Sequence, residues 1–302
     1  GSVIASLISL YHGYTCYSET NDPNCFYSSF ITKNIHASYL AVYFCFSILI
    51  LVHSLINYFN RMNIYMRIIS SFLIIYFSVF VFLLSSKGGI LALALVVIVS
   101  VIYYFYKKGR IKNILLVFGI LSVFAVILFS FSSYVRQRFA TAFDTYKLSE
   151  EELFSQHHNS TESTAVRLMI WTVATELIVE NPLGVGTGDN KDNLMLKYRE
   201  REMNGAYNLN LNCHNQYLET ALSTGIIGMI MLISFLVYGM YRAIRVRNFL
   251  LLWIIAIVSL NLFFESFFER QAGIVFFVFF TWVLFTSVPQ VIPVSPENKN
   301  PA

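Results

Sequence analysis

Of the 302 residues, 56% are hydrophobic and 13% charged, and the formal net charge is +4 at neutral pH. Several apolar runs approach or exceed the roughly 18–20 residues that cross a bilayer as a helix, which excludes a soluble globular domain and predicts an integral membrane protein. The small positive excess sits in short basic loops, so it reports topology and gives no reason to expect a nucleic-acid partner.

In chain order, residues 1–10 read as the last turns of an earlier span whose beginning is missing, so the chain is expected to be N-terminally truncated from a larger protein. No signal peptide of the usual layout is present. An outward loop, 11–36, carries Cys16 and Cys25, which an oxidising compartment would permit to pair. Seven complete spans are predicted at about 37–58, 67–85, 89–106, 113–131, 224–241, 248–265 and 271–288. The fold class is therefore all-α and polytopic. Its expected divisions are 1–36, four transmembrane helices over 37–131, a large polar insert over 132–223, three more transmembrane helices over 224–288, and a Pro-, Asn- and Lys-containing tail, 289–302, read as a disordered cytoplasmic end. Cys45 lies within a span and reads as a packing residue.

Three interhelical loops hold the basic charge: Arg61 and Arg67; Lys107, Lys108, Arg110 and Lys112; and Arg242, Arg245 and Arg247. All fall on one side if each run crosses once. The positive-inside rule makes that side cytoplasmic and leaves the insert, the 11–36 loop and the turn Glu265 to Arg270 outside.

Within the insert, Ser132 to Thr161 is polar and reads as a mobile flap. From Glu162 to Glu180, Val166, Met169, Ile170, Val173, Leu177 and Ile178 recur at helical spacing, which predicts an amphipathic helix lying on the membrane or on the bundle. It ends at Asn181-Pro182, since proline disfavours helix in the preceding residue. Gly184-Val185-Gly186-Thr187-Gly188 follows, a backbone able to turn tightly and approach a ligand closely. It lacks the strand-to-helix context and the lysine of a nucleotide loop, so ATP binding is rejected. A second polar helix, roughly Asn190 to Met203, leads on to His214.

The run His214-Asn215-Gln216-Tyr217-Leu218-Glu219 holds an imidazole and a carboxylate at the membrane surface, a placement that suits chemistry on a lipid-anchored substrate. Arg167 and Trp171 are four apart on one helix face. With Glu162 and Glu176 nearby they read either as a solvated, ion-paired face or as a functional cation. Lys87, at the outer junction of two spans, either snorkels to the headgroups or presents its charge to an anionic group such as a pyrophosphate. Glu265, Glu269 and Arg270 form either an internal salt bridge or part of the same outer site. Cys213 and His214 are too few ligands for a structural zinc site. Only His53 and Asn261 break the apolar runs, whereas transporters and pumps need polar groups near the midplane. The distribution favours an enzyme that opens at the outer leaflet.

These motifs occur together in a known pattern. SSKGG at a span junction, VRLMIW followed by ENPLGVGTGD in the insert, HNQYLETALSTGIIG entering the next span and ESFFERQAG at the following turn resemble the bacterial O-antigen ligase and O-antigen polymerase superfamily, the Wzy_C-type membrane glycosyltransferases. The resemblance covers roughly residues 35–288, with HNQYLE…GIIG its most specific part. It implies about twelve helices in a complete member and transfer of a glycan from a polyprenyl (undecaprenyl) pyrophosphate carrier to lipid A-core or another periplasmic acceptor. No metal or other cofactor is implied. Three site positions follow from it: a pyrophosphate-binding cation at Lys87, an arginine at Arg167 and the catalytic histidine at His214, with Asn215, Glu219, Glu265 and Arg270 in supporting places. Lysine at 87 departs from the usual arginine and supplies a point charge without a bidentate fork. Ligase, repeat-unit polymerase, protein O-oligosaccharyltransferase and a non-catalytic polysaccharide export component remain open at the level of sequence.

Overall fold

The structure, a computed structural model, describes residues 1–27, 31–32, 35–109, 140, 143–161 and 164–287. The expected span 113–131 and the tail 289–302 lie outside the described residues. Among the described residues every regular element is helical, as expected of an all-α polytopic protein.

At the centre stands α2 (Ala37–Tyr58), whose residues are almost continuously buried from Ala37 to Leu49. Around it pack α3 (Ile64–Leu83), α4 (Lys87–Lys108) and, from the far end of the chain, a helix at Phe249–Asn261. Small residues let α4 approach closely: a Cβ added at Gly89 would collide with that of Ala41 on α2. Aromatic pairs tie α2 to the C-terminal elements, with Tyr39 stacked on Phe267 at 4.7 Å and Tyr43 on Phe276 at 4.4 Å. Such pairs add about 0.5–1.5 kcal/mol each beyond their buried area.

Polar side chains punctuate the apolar helices. Asn63 caps α3 by accepting from Met66 N–H and Ser86 caps α4 by accepting from Gly89 N–H. The first N–H groups of a helix lack partners of their own, and within a membrane water does not supply them.

Among the described residues, four helices are long and apolar enough to cross a membrane: Ala37–Arg61, which includes a closing 3₁₀ turn, then Ile64–Leu83, Lys87–Lys108 and Gln216–Arg245. The expected complete span 248–265 is a shorter helix of 13 residues, Phe249–Asn261. Thirteen residues rise only about 20 Å, short of the roughly 30 Å hydrocarbon core. The helix ends in a tightened turn, with the Phe263 and Phe264 N–H groups bonding three residues back to the Leu260 and Asn261 carbonyls. The last apolar helix is Gln271–Thr286.

The N-terminal reading needs correction. Residues 11–20, expected in a loop, belong to α1 (Ser2–Thr20). The hydroxyls of Thr15, Ser18 and Thr20 bond back to carbonyls one turn earlier, so these polar residues are satisfied inside the helix. Cys16 and Cys25 are joined by a disulfide that folds the end of α1 onto the following 3₁₀ turn.

Within the described part of the expected flap, 143–161, helical structure is present. Glu150–His157 forms α5, opened by a capping box between Ser149 and Glu152, and it buries Leu153. The amphipathic helix is present as α6 (Thr164–Glu180), with all six predicted apolar positions buried. The second polar helix is split into α7 (Asn190–Glu200) and a short α8 (Asn204–Asn208). The side chains of these helices share one buried cluster with Cys213 and with Ala221 and Leu222. The latter two belong to α9 (Gln216–Arg245), which is interrupted at Gly225. The Phe249–Asn261 and Gln271–Thr286 helices complete the order as α10 and α11.

Candidate active site

His214 occupies a left-handed backbone position, φ 46°, immediately before Asn215, which caps α9 by accepting from the N–H groups of Tyr217 and Leu218. The sharp turn is held by the His214 N–H donating to Asn212 Oδ1 at 3.2 Å. It aims the imidazole at Glu265, with Nδ1 3.3 Å from Glu265 Oε1. Burial alone would push the Glu265 carboxyl up, but the hydrogen bond with His214 and the charges of His36, His214 and Arg167 outweigh it and hold the group below the usual carboxylate range. An ionised carboxylate only accepts, so Nδ1 carries a hydrogen, and whenever the imidazole is neutral Nε2 is left as the acceptor.

The other Glu265 oxygen faces the start of α2. Ser38 Oγ donates to Oε2 at 3.2 Å, His36 Nδ1 lies 3.6 Å away, and Ser86 Oγ donates in turn to Ser38 Oγ. The hydroxyl that caps α4 is thereby joined to the carboxylate that orients His214.

One stripe of α6 draws the remaining segments together. Lys87 Nζ donates to Thr164 Oγ1 at 2.8 Å, Arg167 Nη1 to the Phe264 carbonyl at 3.0 Å, and Trp171 Nε1 to the Cys213 carbonyl at 3.0 Å. Residues three and four apart share a helix face, so α6 meets the start of α4, the 264–265 turn and the 213–214 segment at once. Lys87, Arg167, His214 and Glu265 thus lie on segments that α6 joins.

Glu219 is buried one turn into α9. Its Oε2 accepts from the Cys213 N–H at 3.0 Å and its Oε1 from Asn190 Nδ2 at 2.7 Å, so it secures the backbone that leads into His214. Burial pushes the Cys213 thiol well up, which leaves a protonated packing group rather than a thiolate ligand. Arg270 is exposed, and its carbonyl accepts from the N–H groups of Gly273 and Ile274 at the start of α11.

Compared with known protein families, residues 71–233 match the O-antigen ligase family, more than half of the chain. The chain belongs to the O-antigen ligase family. No curated protein matches it. Members of the family are glycosyltransferase-like enzymes acting on glycan- or lipid-linked substrates in a membrane. The matched region of this family member contains Lys87, Arg167, His214 and Glu219, whereas Glu265 and Arg270 lie beyond it.

In this O-antigen ligase family protein Gly184, the first of the glycine run, packs against the backbone of α9. Gly184 and Gly225 both have positive φ, and a Cβ added at Gly184 would lie 2.5 Å from Gly225 N. Around that contact, Val185 and Gly186 N–H donate to the Leu222 and Ser223 carbonyls, and Ile226 N–H donates to the Pro182 carbonyl. The loop thus satisfies the groups that the interruption of α9 leaves open.

Sequence reasoning missed three contributors. Gln216 is buried and joins α9 to the 262–269 turn: its N–H donates to the Leu262 carbonyl, its Oε1 accepts from Phe268 N–H, and its Nε2 donates to Glu269. Its place beside His214 in HNQYLE was the available signal. His36 and Ser38 left only a polar pair at the start of an apolar run.

Proposed function

We propose that this protein transfers a preassembled glycan from a polyprenyl pyrophosphate carrier to lipid A-core at the outer face of the bacterial inner membrane. The acceptor hydroxyl attacks the anomeric carbon of the carrier-linked sugar and the bond from that carbon to the pyrophosphate oxygen breaks. The acceptor proton passes to His214 Nε2, and the pyrophosphate leaves with the bonding electrons. His214 serves as general base. Arg167 and Lys87 offset the charge that develops on the leaving pyrophosphate, Glu265 holds the His214 tautomer, and no metal takes part.

The observation that carries this reading is the His214–Glu265 pair, an imidazole held through Nδ1 by a buried carboxylate whose turn also receives the Arg167 guanidinium. The Cys16–Cys25 disulfide supports an oxidising, outward location for that end of the bundle.

The test is a surface-glycan profile of parent cells with the full-length gene deleted, then complemented with wild type, His214→Ala or Arg167→Ala. Loss of the long lipopolysaccharide ladder with polymer retained on the carrier, restored by wild type and by neither variant, is the expected result. A ladder cut to one repeat identifies repeat-unit polymerisation, and lost glycoproteins with intact lipopolysaccharide identify protein glycosylation. Full rescue by both variants removes the proposed active site and leaves the export reading.

A further inference from the structure

Beyond the His214 cluster, an open groove of about 660 Å³ runs along α6, lined by Leu168, Trp171, Thr172, Thr175, Glu176 and Val179, with Glu180 at its end and Glu150 of α5 on its other wall. From residue 168 to 180 an α-helix rises about 18 Å, and the groove's size falls in the roughly 300–1,000 Å³ range of small-molecule sites. One end abuts the proposed active site, because Trp171 lines the groove while its indole N–H is spent on the Cys213 carbonyl next to His214. What the indole offers the groove is therefore its apolar ring.

The groove's charge is largely balanced. Arg201 pairs with both Glu150 and Glu176, and Lys197 pairs with Glu180 at 2.9 Å. These pairs disfavour a free cation or anion as the occupant. A carboxylate held by one guanidinium or ammonium still has lone pairs for further donors, and Thr172 and Thr175, whose hydroxyls donate to the Leu168 and Trp171 carbonyls, add acceptor oxygens to the lining. Apolar surface from Leu168, Trp171 and Val179 alternates with these polar groups along the groove. A ring that is neutral, has C–H faces and carries hydroxyls at its edge matches such a lining.

We propose that this groove is a saccharide-binding subsite that takes successive sugar units of the glycan handled at the His214 centre. The inference rests on the glycosyl-transfer reading above and adds where the sugar chain lies. Extended contact with the chain is a source of binding remote from the reacting bond.

The test uses the purified full-length protein in detergent with Thr175→Trp and Val179→Trp, which fill the groove from exposed positions, and Thr175→Ser as the conservative control. Two series of substrates are assayed: lipid-linked donors of one to several repeat units with a fixed acceptor, and acceptors of increasing saccharide length with a fixed donor. Both filling variants are expected to lose on the order of tenfold in kcat/KM, through KM, for the long members of one series, with the shortest members turned over as by wild type. Length dependence in the donor series places the donor glycan in the groove, and in the acceptor series the acceptor glycan. Losses equal at all lengths, or no loss, overturn the proposal.

A second readout needs no turnover. In a Trp253→Phe, Trp282→Phe background, polysaccharide fragments released from parent cells by mild acid should change Trp171 fluorescence, also when His214→Ala is added. Retained transfer by His214→Ala would defeat the active-site reading, whereas an unresponsive Trp171 with an intact His214 dependence would defeat the groove alone.

Discussion

Replacing Glu265 by glutamine removes one charge with almost no change of shape, at the residue on which the His214 geometry depends. The carboxylate makes a charge-assisted contact to His214 Nδ1 at 3.3 Å, accepts from Ser38 at 3.2 Å, and is held ionised by the neighbouring His36, His214 and Arg167. Hydrogen bonds to charged groups are worth about 1.5–3 kcal/mol, so loss of the His214 partner should lower kcat/KM roughly ten- to hundredfold. The upper end applies if the new amide turns its NH₂ toward Nδ1, because the imidazole must then carry its hydrogen on Nε2 and cannot accept the acceptor proton. The assay is transfer of labelled glycan from a lipid-linked donor by purified Glu265→Gln, Glu265→Asp and Ser38→Ala proteins. Ser38→Ala removes a contact to the same carboxylate from the side away from His214. It should cost on the order of 1 kcal/mol of stability while leaving kcat/KM close to wild type. Wild-type turnover by Glu265→Gln, or equal losses in Ser38→Ala and Glu265→Gln, would refute the orienting role.

Three further outcomes follow from the same geometry. Because the Glu265 carboxyl is held below its unfolded value, its contribution to stability is present above that value and is lost as pH falls through the folded one. Thermal midpoints measured from about pH 7 down to about pH 3 should therefore decline less steeply for Glu265→Gln than for wild type, and parallel curves would count against the assignment. Gly225→Ala demands a left-handed alanine whose Cβ would lie 2.6 Å from the Leu183 carbonyl carbon. Strain and overpacking together should cost about 2–5 kcal/mol, read as a lowered midpoint in detergent, and a change under 1 kcal/mol would contradict the contact. Lys87→Arg should keep transfer activity and Lys87→Ala should lose most of it, whereas loss in both would show that the contact to Thr164, not charge, is what matters.

The elements that could be read from sequence are those whose signal is local. The long apolar runs gave α2, α3 and α4, and the 3.6-residue recurrence of Val166, Met169, Ile170, Val173, Leu177 and Ile178 gave α6 and its buried face. Its polar stripe through Arg167 was visible, although not what that stripe would touch. Local signal was silent where long-range contacts decide the outcome. Ser38 and Glu265 are 227 positions apart yet share a hydrogen bond, and nothing near Ser38 announces it. Gly184 shows the same limit: its freedom to turn is written in the residue, but the backbone of Ser223 to Gly225 that it meets is not. In α1, hydroxyls bonded to their own helix made a polar segment helical where composition alone suggested a loop.

Ala221 and Leu222, buried with the apolar face of α6, belong to the same helix that continues past Gly225 into the long apolar stretch Ile226 to Tyr241. An excised insert ending before them would expose the side chains they cover, and one ending just after them would lose the Ile226 N–H that closes on the Pro182 carbonyl. The smallest self-sufficient piece therefore has to include part of a membrane helix. During synthesis, the outer segment can complete its interior only once that helix has emerged, which ties its maturation to the placement of α9 in the bilayer. Anyone seeking a water-soluble form of this region for ligand work would need to supply substitutes for those two side chains and for the backbone that follows them.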